Sequence, residues 1–340
     1  RYDFLVVTDE WSAYKDMLDW MHVNLGYPTP EPDEETGEID RDHREIEEVY
    51  LTGSILRQFQ LQSGITYFKG MTLSDVHRMQ LDIEVYSSTD KFPRPEREDD
   101  EIIIVTITDN RGEELIIAQD NGIKKNQVEE ETGAQVCLVP NEEELIRVTE
   151  NHINMVDPDV IEGHNQFSFD WDYILGRCDL LDLSFNVGRD GSEPYRWETQ
   201  RRFAERDVDY PMTSVAGRSL IDTYFLVLAF DVFAREMPGH GLKTAAKYFD
   251  VAAGSGEEDD RTYIEGDEIA DYWDNDPEEL LKYALDDVIE TRALGRILSE
   301  SAFYLSQILP MPYHDVERLG TATVIEALFV REYLRQKASI

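Results

Sequence analysis

The sequence predicts an α/β protein, a mixed sheet covered by helices and led by a small mixed domain. Two patterns carry this expectation. From Met79 three strand-like segments follow one another as a meander, and from Asn141 helical stretches alternate with short apolar ones. A third feature, the acidic and proline-containing stretch 28–48, reads as a solvated loop inside the leading segment.

Each element has its own local reason. Within residues 1–75, segments 4–8 and 64–68 have strand character, and 11–25 is helical. Leu81-Asp-Ile-Glu-Val-Tyr86 alternates apolar and acidic side chains, as a strand with one buried face does. Segments 101–108 and 114–118 continue the meander across a turn at Asp109-Asn-Arg-Gly112. A helix is expected from Glu142 to about Val156, with Asn141 as its cap and Glu144 at the third position. Segment 159–162 is a short strand closing at Gly163, and a helix begins near Asp170 and reaches Cys178. Segment 218–227 reads as a strand running into a helix, and 254–261 as an acidic loop. A long helix spans 277–299, since Asp276 suits the cap and Pro277 the first helical position. The remainder, from Ser301, is expected to be helical. The division that follows is 1–75, 76–300 and 301–340.

Composition narrows the function classes. No apolar run approaches the ~20 residues of a membrane-spanning helix, and Arg1-Tyr-Asp-Phe-Leu-Val-Val does not have a signal-peptide pattern. Two cysteines, Cys137 and Cys178, are too few for a disulfide framework or a zinc site, so a reduced, cytoplasmic (nucleoid) setting is expected. The chain does not begin with Met and is read as a piece or a processed product. Its 72 acidic residues against 32 basic ones give a net charge of −40, and only nine of the basic residues are Lys. Such a surface repels phosphate. Concentrated salt would remove that conflict, because the Debye length falls to about 3 Å at 1 M. An Asp- and Glu-rich, Lys-poor composition fits a halophilic source. The polar stretch 186–213, with Arg189, Arg196, Arg201, Arg202 and Arg206, is the one basic region.

Three motifs bear on chemistry. Asp82 and Glu84, two apart on a strand, share one face, and paired carboxylates there favour a hard divalent cation. Asn165-Gln-Phe-Ser-Phe-Asp170 follows a short strand and opens a helix, which places Asp170 near a strand's carboxyl end. Tyr283 and Asp287 lie four apart on one helix face. Taken singly, each has a simpler reading: a solvated strand edge, a helix cap, an amphipathic helix with a surface Asp.

Together, in this order, they resemble the three exonuclease motifs of the DEDD superfamily, in the subtype with Tyr four residues before the last Asp. Asp157-Pro-Asp-Val-Ile-Glu-Gly-His-Asn165, Phe169-Asp-Trp-Asp-Tyr-Ile174, Gly217-Arg-Ser-Leu-Ile-Asp222, Tyr283-Ala-Leu-Asp-Asp-Val288 and Leu319-Gly-Thr-Ala-Thr-Val-Ile-Glu326 are similar to the proofreading region of family B DNA polymerases. The resemblance covers residues 76–340 and implies an RNase H-like, five-stranded mixed sheet. It implies two divalent ions, Mg²⁺ or Mn²⁺, one held by Asp82, Glu84 and Asp287, the other by Asp82 and Asp170. Tyr283 would orient water, since a phenol with a pKa near 10 is a poor base. The substrate implied is the single-stranded 3′ end of DNA, a primer terminus, with Asn165 and Phe169 against the terminal nucleotides. The arginines around Arg201 and Arg202 match by position a DNA-contacting hairpin, although pairing with the protein's own acids explains them equally well. His164 reads as a packing or DNA-contact residue, because Tyr283 fills the water-orienting position. Segments of the Asp-x-x-Ser-Leu-Tyr-Pro and Tyr-Gly-Asp-Thr-Asp types are absent from the sequence, so no polymerising centre is expected in these residues. The chain reads as the N-terminal part of a longer polymerase-like protein. The alternatives are a silent DNA-binding module of the same fold and a stand-alone DNA or RNA exonuclease.

Overall fold

The fold is that of a computed structural model, which describes residues 11–25, 55–87, 92–203, 206–252 and 264–336. The strand expected at 4–8 and the loops at 28–48 and 254–261 lie outside or largely outside these residues. Two compact units are present, 1–65 with 326–340, and 66–325. The first contains helices α1 (Trp11–Leu25) and α2 (Ile55–Ser63). The strand expected at 64–68 does not form. Gly64 and Phe68 have φ of 70° and 50°, a left-handed backbone that no strand accommodates.

The second unit carries the sheet. Its strands are β1 (Arg78–Val85), β2 (Ile102–Asp109), β3 (Glu114–Gln119), β4 (Gln135–Val139), β5 (Val160–Gly163) and β8 (Ser219–Asp222). Their order is β4-β3-β2-β1-β5-β8, with β1 antiparallel to β2 and parallel to β5. The meander therefore forms as expected. The sixth strand, β4, is the addition to the five anticipated. It is reached from β3 through α3 (Lys125–Thr132), whose helix ends on the left-handed Gly133. The stretch 186–213 contains a separate hairpin, β6 (Tyr195–Phe203) and β7 (Arg206–Ser214).

Helices cover both faces. On one, Leu81, Ile83 and Val85 of β1 pack with Leu145 and Ile153 of α4 (Glu142–Val156) and with Ile174 of α5 (Asp170–Leu181). Asn141 caps α4 as anticipated, its Oδ1 accepting the Glu144 N–H at 3.0 Å. On the other, Ile104 and Ile116 meet Leu281, Leu285 and Val288 of α9 (Pro277–Ser306), which runs seven residues beyond its expected end. Helices α6 (Thr223–Ala234), α7 (Leu242–Tyr248), α8 (Ile269–Asn275), α10 (Tyr313–Arg318) and α11 (Thr321–Gln336) complete the described chain.

The α9 face of β1 is polar throughout. Arg78 donates to both oxygens of Glu162 at 2.8 and 2.9 Å, and Gln80 donates to one of them at 2.6 Å. All three are buried. A buried ion pair of this kind tolerates no displacement once made. Gly295 of α9 is what lets the helix approach it, because a Cβ there would lie 2.6 Å from Glu162 Oε2. Alanine normally gains ~1 kcal/mol over glycine inside a helix. Here overpacking reverses that sign, and Gly295→Ala is expected to lose about 2 kcal/mol of stability in urea unfolding. A gain would show that the helix has room to shift.

Candidate active site

Three elements, β1, α9 and α5, bring the four carboxylates together. On β1, Asp82 and Glu84 point to the α9 face, opposite Ile83 and Val85. β5 pairs with β1 only as far as Gln80, so Asp82 to Val85 extend past its carboxyl end. The register with β2 slips between Glu84 and Val85, a bulge of the kind that re-aims side chains beside sites. Asp287 approaches from α9, and one oxygen from each of Asp82, Glu84 and Asp287 lies within 4.8 Å of the others. Glu84 and Asp287 are buried, and Asp82 is half-buried.

Asp170 joins them from the far side of the sheet. The residue at the cap position of α5 is Phe169, and Asp170 is the first helical residue. Its buried Oδ1 accepts the N–H of Ile83 at 3.2 Å. That N–H lies beyond the end of β5, so the carboxylate takes the place of a strand partner. Asp222, at the end of β8, fixes the approach to Asp170. Its oxygens accept the N–H groups of Asn165, Phe167 and Tyr224 at 2.7, 3.2 and 2.9 Å. Asn165 adopts φ of 68° to make this turn, a conformation asparagine tolerates better than most residues.

The electrostatics follow from crowding. Burial, then the charges of Asp170, Glu84 and Asp287, push Asp82 well above the usual carboxylate range. Burial and Asp287 do the same to Glu84. Burial lifts Asp170 to about 7, with Asp222 adding to the rise. Tyr283, buried on α9, bonds to Asp287, and burial together with that carboxylate raises its hydroxyl far above the ordinary phenol value. The cation whose charge opposes these shifts at Asp82 and Glu84 is Lys243 of α7. Its Nζ sits 4.5 Å from the centroid of the Tyr283 ring and donates to the Ile264 carbonyl at 2.7 Å. The motifs did not reveal Lys243, which lies far from every one of them in sequence.

The donor set suits a hard divalent cation. Several buried carboxylates converge with one ammonium beside them, and oxygen-only ligation matches Mg²⁺ or Mn²⁺.

The other candidates separate. Phe169 lies beside Asp170, and its ring meets the exposed ring of Phe92 edge-on at 6.0 Å. Phe92, Arg94, Glu96 and Arg97 line a concavity of about 490 Å³. The described arginines of the basic region, Arg189, Arg196 and Arg201, contact the protein itself. Arg189 pairs with Asp157 and Asp159, and Arg196 with Asp172 and Asp179. The Arg201 guanidinium lies over the ring of Phe225, 5.4 Å from its centroid. The side chain of Arg202 lies outside what the structure describes. Trp171 is fully buried core. No helix among the described residues is long and apolar enough to cross a membrane.

Comparison with known proteins gives the family and the fold. The family model described as DNA polymerase family B, exonuclease domain, matches residues 58–230. That span holds Asp82, Glu84 and Asp170, while Tyr283 and Asp287 lie beyond it. The chain is 25% identical over 283 residues to a DNA polymerase of Archaeoglobus fulgidus, covering 82% of this chain and 30% of that protein. It is 28% identical over 291 residues to DNA polymerase 2 of Aeropyrum pernix, covering 84% of this chain and 30% of that protein. The chain thus spans about a third of the length of the curated relatives it matches. The fold is similar to that of the family B DNA polymerase from the hyperthermophilic archaeon Pyrobaculum calidifontis, with a TM-score of 0.62 and 22% identity over 82% of this chain and 35% of the other. With a matched segment that covers half the sequence and contains the carboxylates of β1 and α5, the chain belongs to the family B DNA polymerase exonuclease domain family.

Proposed function

We propose that this chain is a metal-dependent 3′→5′ exonuclease that removes nucleotides from the single-stranded 3′ end of DNA, as the proofreading part of a longer family B polymerase. The observation that carries this reading is the convergence of Asp82, Glu84 and Asp287 within 4.8 Å, with Asp170 bonded to the strand between the first two. Asp82, Glu84 and Asp287 would hold one divalent ion, and Asp82 with Asp170 a second. Bound ions of this kind acidify a water and stabilise charge on the leaving 3′ oxygen.

The chain's own residues do the rest. Lys243 opposes the upward shift of Asp82 and Glu84 and so favours their ionised, ligating form. Tyr283, its hydroxyl raised by burial, stays protonated at every working pH and acts as a hydrogen-bond donor that orients the attacking water. Asn165 and Phe169 contact the terminal nucleotides, and the rings of Phe169 and Phe92 offer faces to unstacked bases. Arg201 and Arg202 remain candidates for the DNA path, although the packing of Arg201 over Phe225 favours a structural role for it.

Tyr283→Phe tests the division of labour. It keeps the ring and removes one hydrogen bond worth about 1–1.5 kcal/mol. Single-turnover digestion is expected to slow about tenfold, with a melting temperature lowered by the lost bond to Asp287. A loss beyond about 10³-fold would make Tyr283 a proton-transfer group. The function as a whole is tested by digestion of matched DNA and RNA oligonucleotides with Mg²⁺ or Mn²⁺ present. DNA shortened from its 3′ end supports the reading, and preference for RNA replaces it with a ribonuclease.

A further inference from the structure

We propose that His164 is a positioning residue: by donating to the carbonyl of His240 it fixes the loop that leads into α7, and so sets the Lys243 ammonium against Tyr283 and the carboxylate cluster. This deepens the exonuclease reading and rests on it for its kinetic arm.

The imidazole bridges two elements. His164 follows β5, and its Nδ1 lies 2.9 Å from the Thr223 hydroxyl at the start of α6. Its Nε2 lies 3.0 Å from the carbonyl oxygen of His240, the residue before the α7 cap, Gly241. A carbonyl only accepts, so Nε2 must carry a proton. Burial pushes the ring's pKa down to about 4, so it is neutral at pH 7 with Nδ1 unprotonated, and Nδ1 shares the single Thr223 hydroxyl hydrogen with the Gly163 carbonyl, which Oγ1 reaches at 3.0 Å. The tautomer protonated at Nε2 is the one that meets the His240 carbonyl.

The loop 235–241 has a second tie. The His240 ring lies 2.9 Å from Asp231 Oδ2, and Asp231 Oδ1 accepts the N–H groups of Glu236 and Met237 at 3.0 and 3.1 Å. Asp231 thus holds the loop to α6, and His164 holds it to the end of β5. These ties matter because α7 is only seven residues long and has no side-chain cap at its start. A helix that short has little stability of its own, so its placement depends on such contacts. Lys243 stands two residues beyond the cap, and its contact with the Tyr283 ring depends on where that helix begins.

The test uses His164→Leu, which removes the donor, His164→Gln, whose amide N–H reaches toward the same carbonyl, Lys243→Ala, and the double variant His164→Leu/Lys243→Ala. His164→Leu is expected to lower kcat on a 3′ single-stranded DNA end about tenfold with KM within about twofold, and His164→Gln to recover most of it. In the Lys243→Ala background His164→Leu should cost less than about twofold, since a residue acting through Lys243 has nothing left to act on. Losses that multiply would overturn the proposal. A second readout is independent of catalysis. An ammonium over a ring places the Lys243 ε-methylene protons in the ring's shielding region, so their NMR resonance should lie upfield. It should return toward the free-lysine position in His164→Leu and remain shifted in His164→Gln. An unchanged resonance in His164→Leu overturns the proposal whether or not the chain digests DNA, whereas absence of nuclease activity alone would fall on the exonuclease reading. If His164→Leu does not fold, His164→Asn, too short to reach the His240 carbonyl, carries the same comparison.

Discussion

Asp82→Asn is expected to reduce 3′-end hydrolysis by about 10³-fold or more while raising the melting temperature of the metal-free protein. The two effects share one cause. Asp82 sits where Glu84, Asp170 and Asp287 all raise its pKa on top of burial, so in the absence of a cation its charge opposes folding. The amide keeps the shape and removes the charge. At pH 8 without metal the gain should be about 1 kcal/mol, or roughly 2–4 °C for a domain of this size. In hydrolysis the same carboxylate contributes to both proposed metal positions, and several kcal/mol of transition-state stabilisation disappear with it. A structural aspartate would behave in the opposite way, with Asn costing stability and leaving turnover intact. Thermal melts with and without chelator, beside digestion rates, separate the two.

Metal affinity should rise steeply with pH through about 7, where Asp170 titrates. Asp170 titrates at about 7, and Asp82 and Glu84 are also raised above the unfolded value near 4. The folded, metal-free protein therefore holds protons that the unfolded chain has already released. The stability these groups contribute is fully present below pH ~4 and is lost as pH rises through their raised folded values, about 7 for Asp170. A divalent ion must displace the same protons, so its apparent Kd should improve by roughly tenfold per pH unit for each proton displaced. Mn²⁺ calorimetry between pH 5.5 and 8, in two buffers of different ionisation enthalpy, measures both the affinity and the protons released. Affinity that does not change from pH 5.5 to 7.5 would contradict the crowded-carboxylate account.

The legible parts of the sequence were those where a local rule and the tertiary fold agree. The alternation over Leu81–Tyr86 fixes which side chains of β1 share a face, and that alone puts Asp82 beside Glu84. Asn141 and Asp276 mark helix starts because their side chains meet the first free N–H groups. β4 was less legible, because Gln135-Val-Cys-Leu-Val139 is a five-residue edge strand with no clean period. The segment 64–68 misled in the other direction. Its aromatic residues have strand propensity, but Phe68 instead turns left-handed and stacks its ring on Phe303 at 5.0 Å. Lys243 and Asp222 illustrate the limit at the site. Each reaches the site across a long sequence separation, and no spacing rule connects Lys243 to Tyr283 or Asp222 to Asn165. The arginines of the hairpin region carried the opposite ambiguity. The sequence left a DNA-contacting hairpin and pairing with the protein's own acids equally open, and Arg189 and Arg196 pair with Asp157, Asp159, Asp172 and Asp179.

The most direct test of the account follows a 5′-labelled DNA primer with a mismatched 3′ end, incubated with wild type and with Asp82→Ala in Mg²⁺ or Mn²⁺. The account predicts a ladder shortened from the 3′ end by the wild type, abolished by chelator and absent with Asp82→Ala. Digestion by Asp82→Ala at the wild-type rate with Mn²⁺ present, or a wild type that binds the metal yet leaves the 3′ end intact, would contradict it.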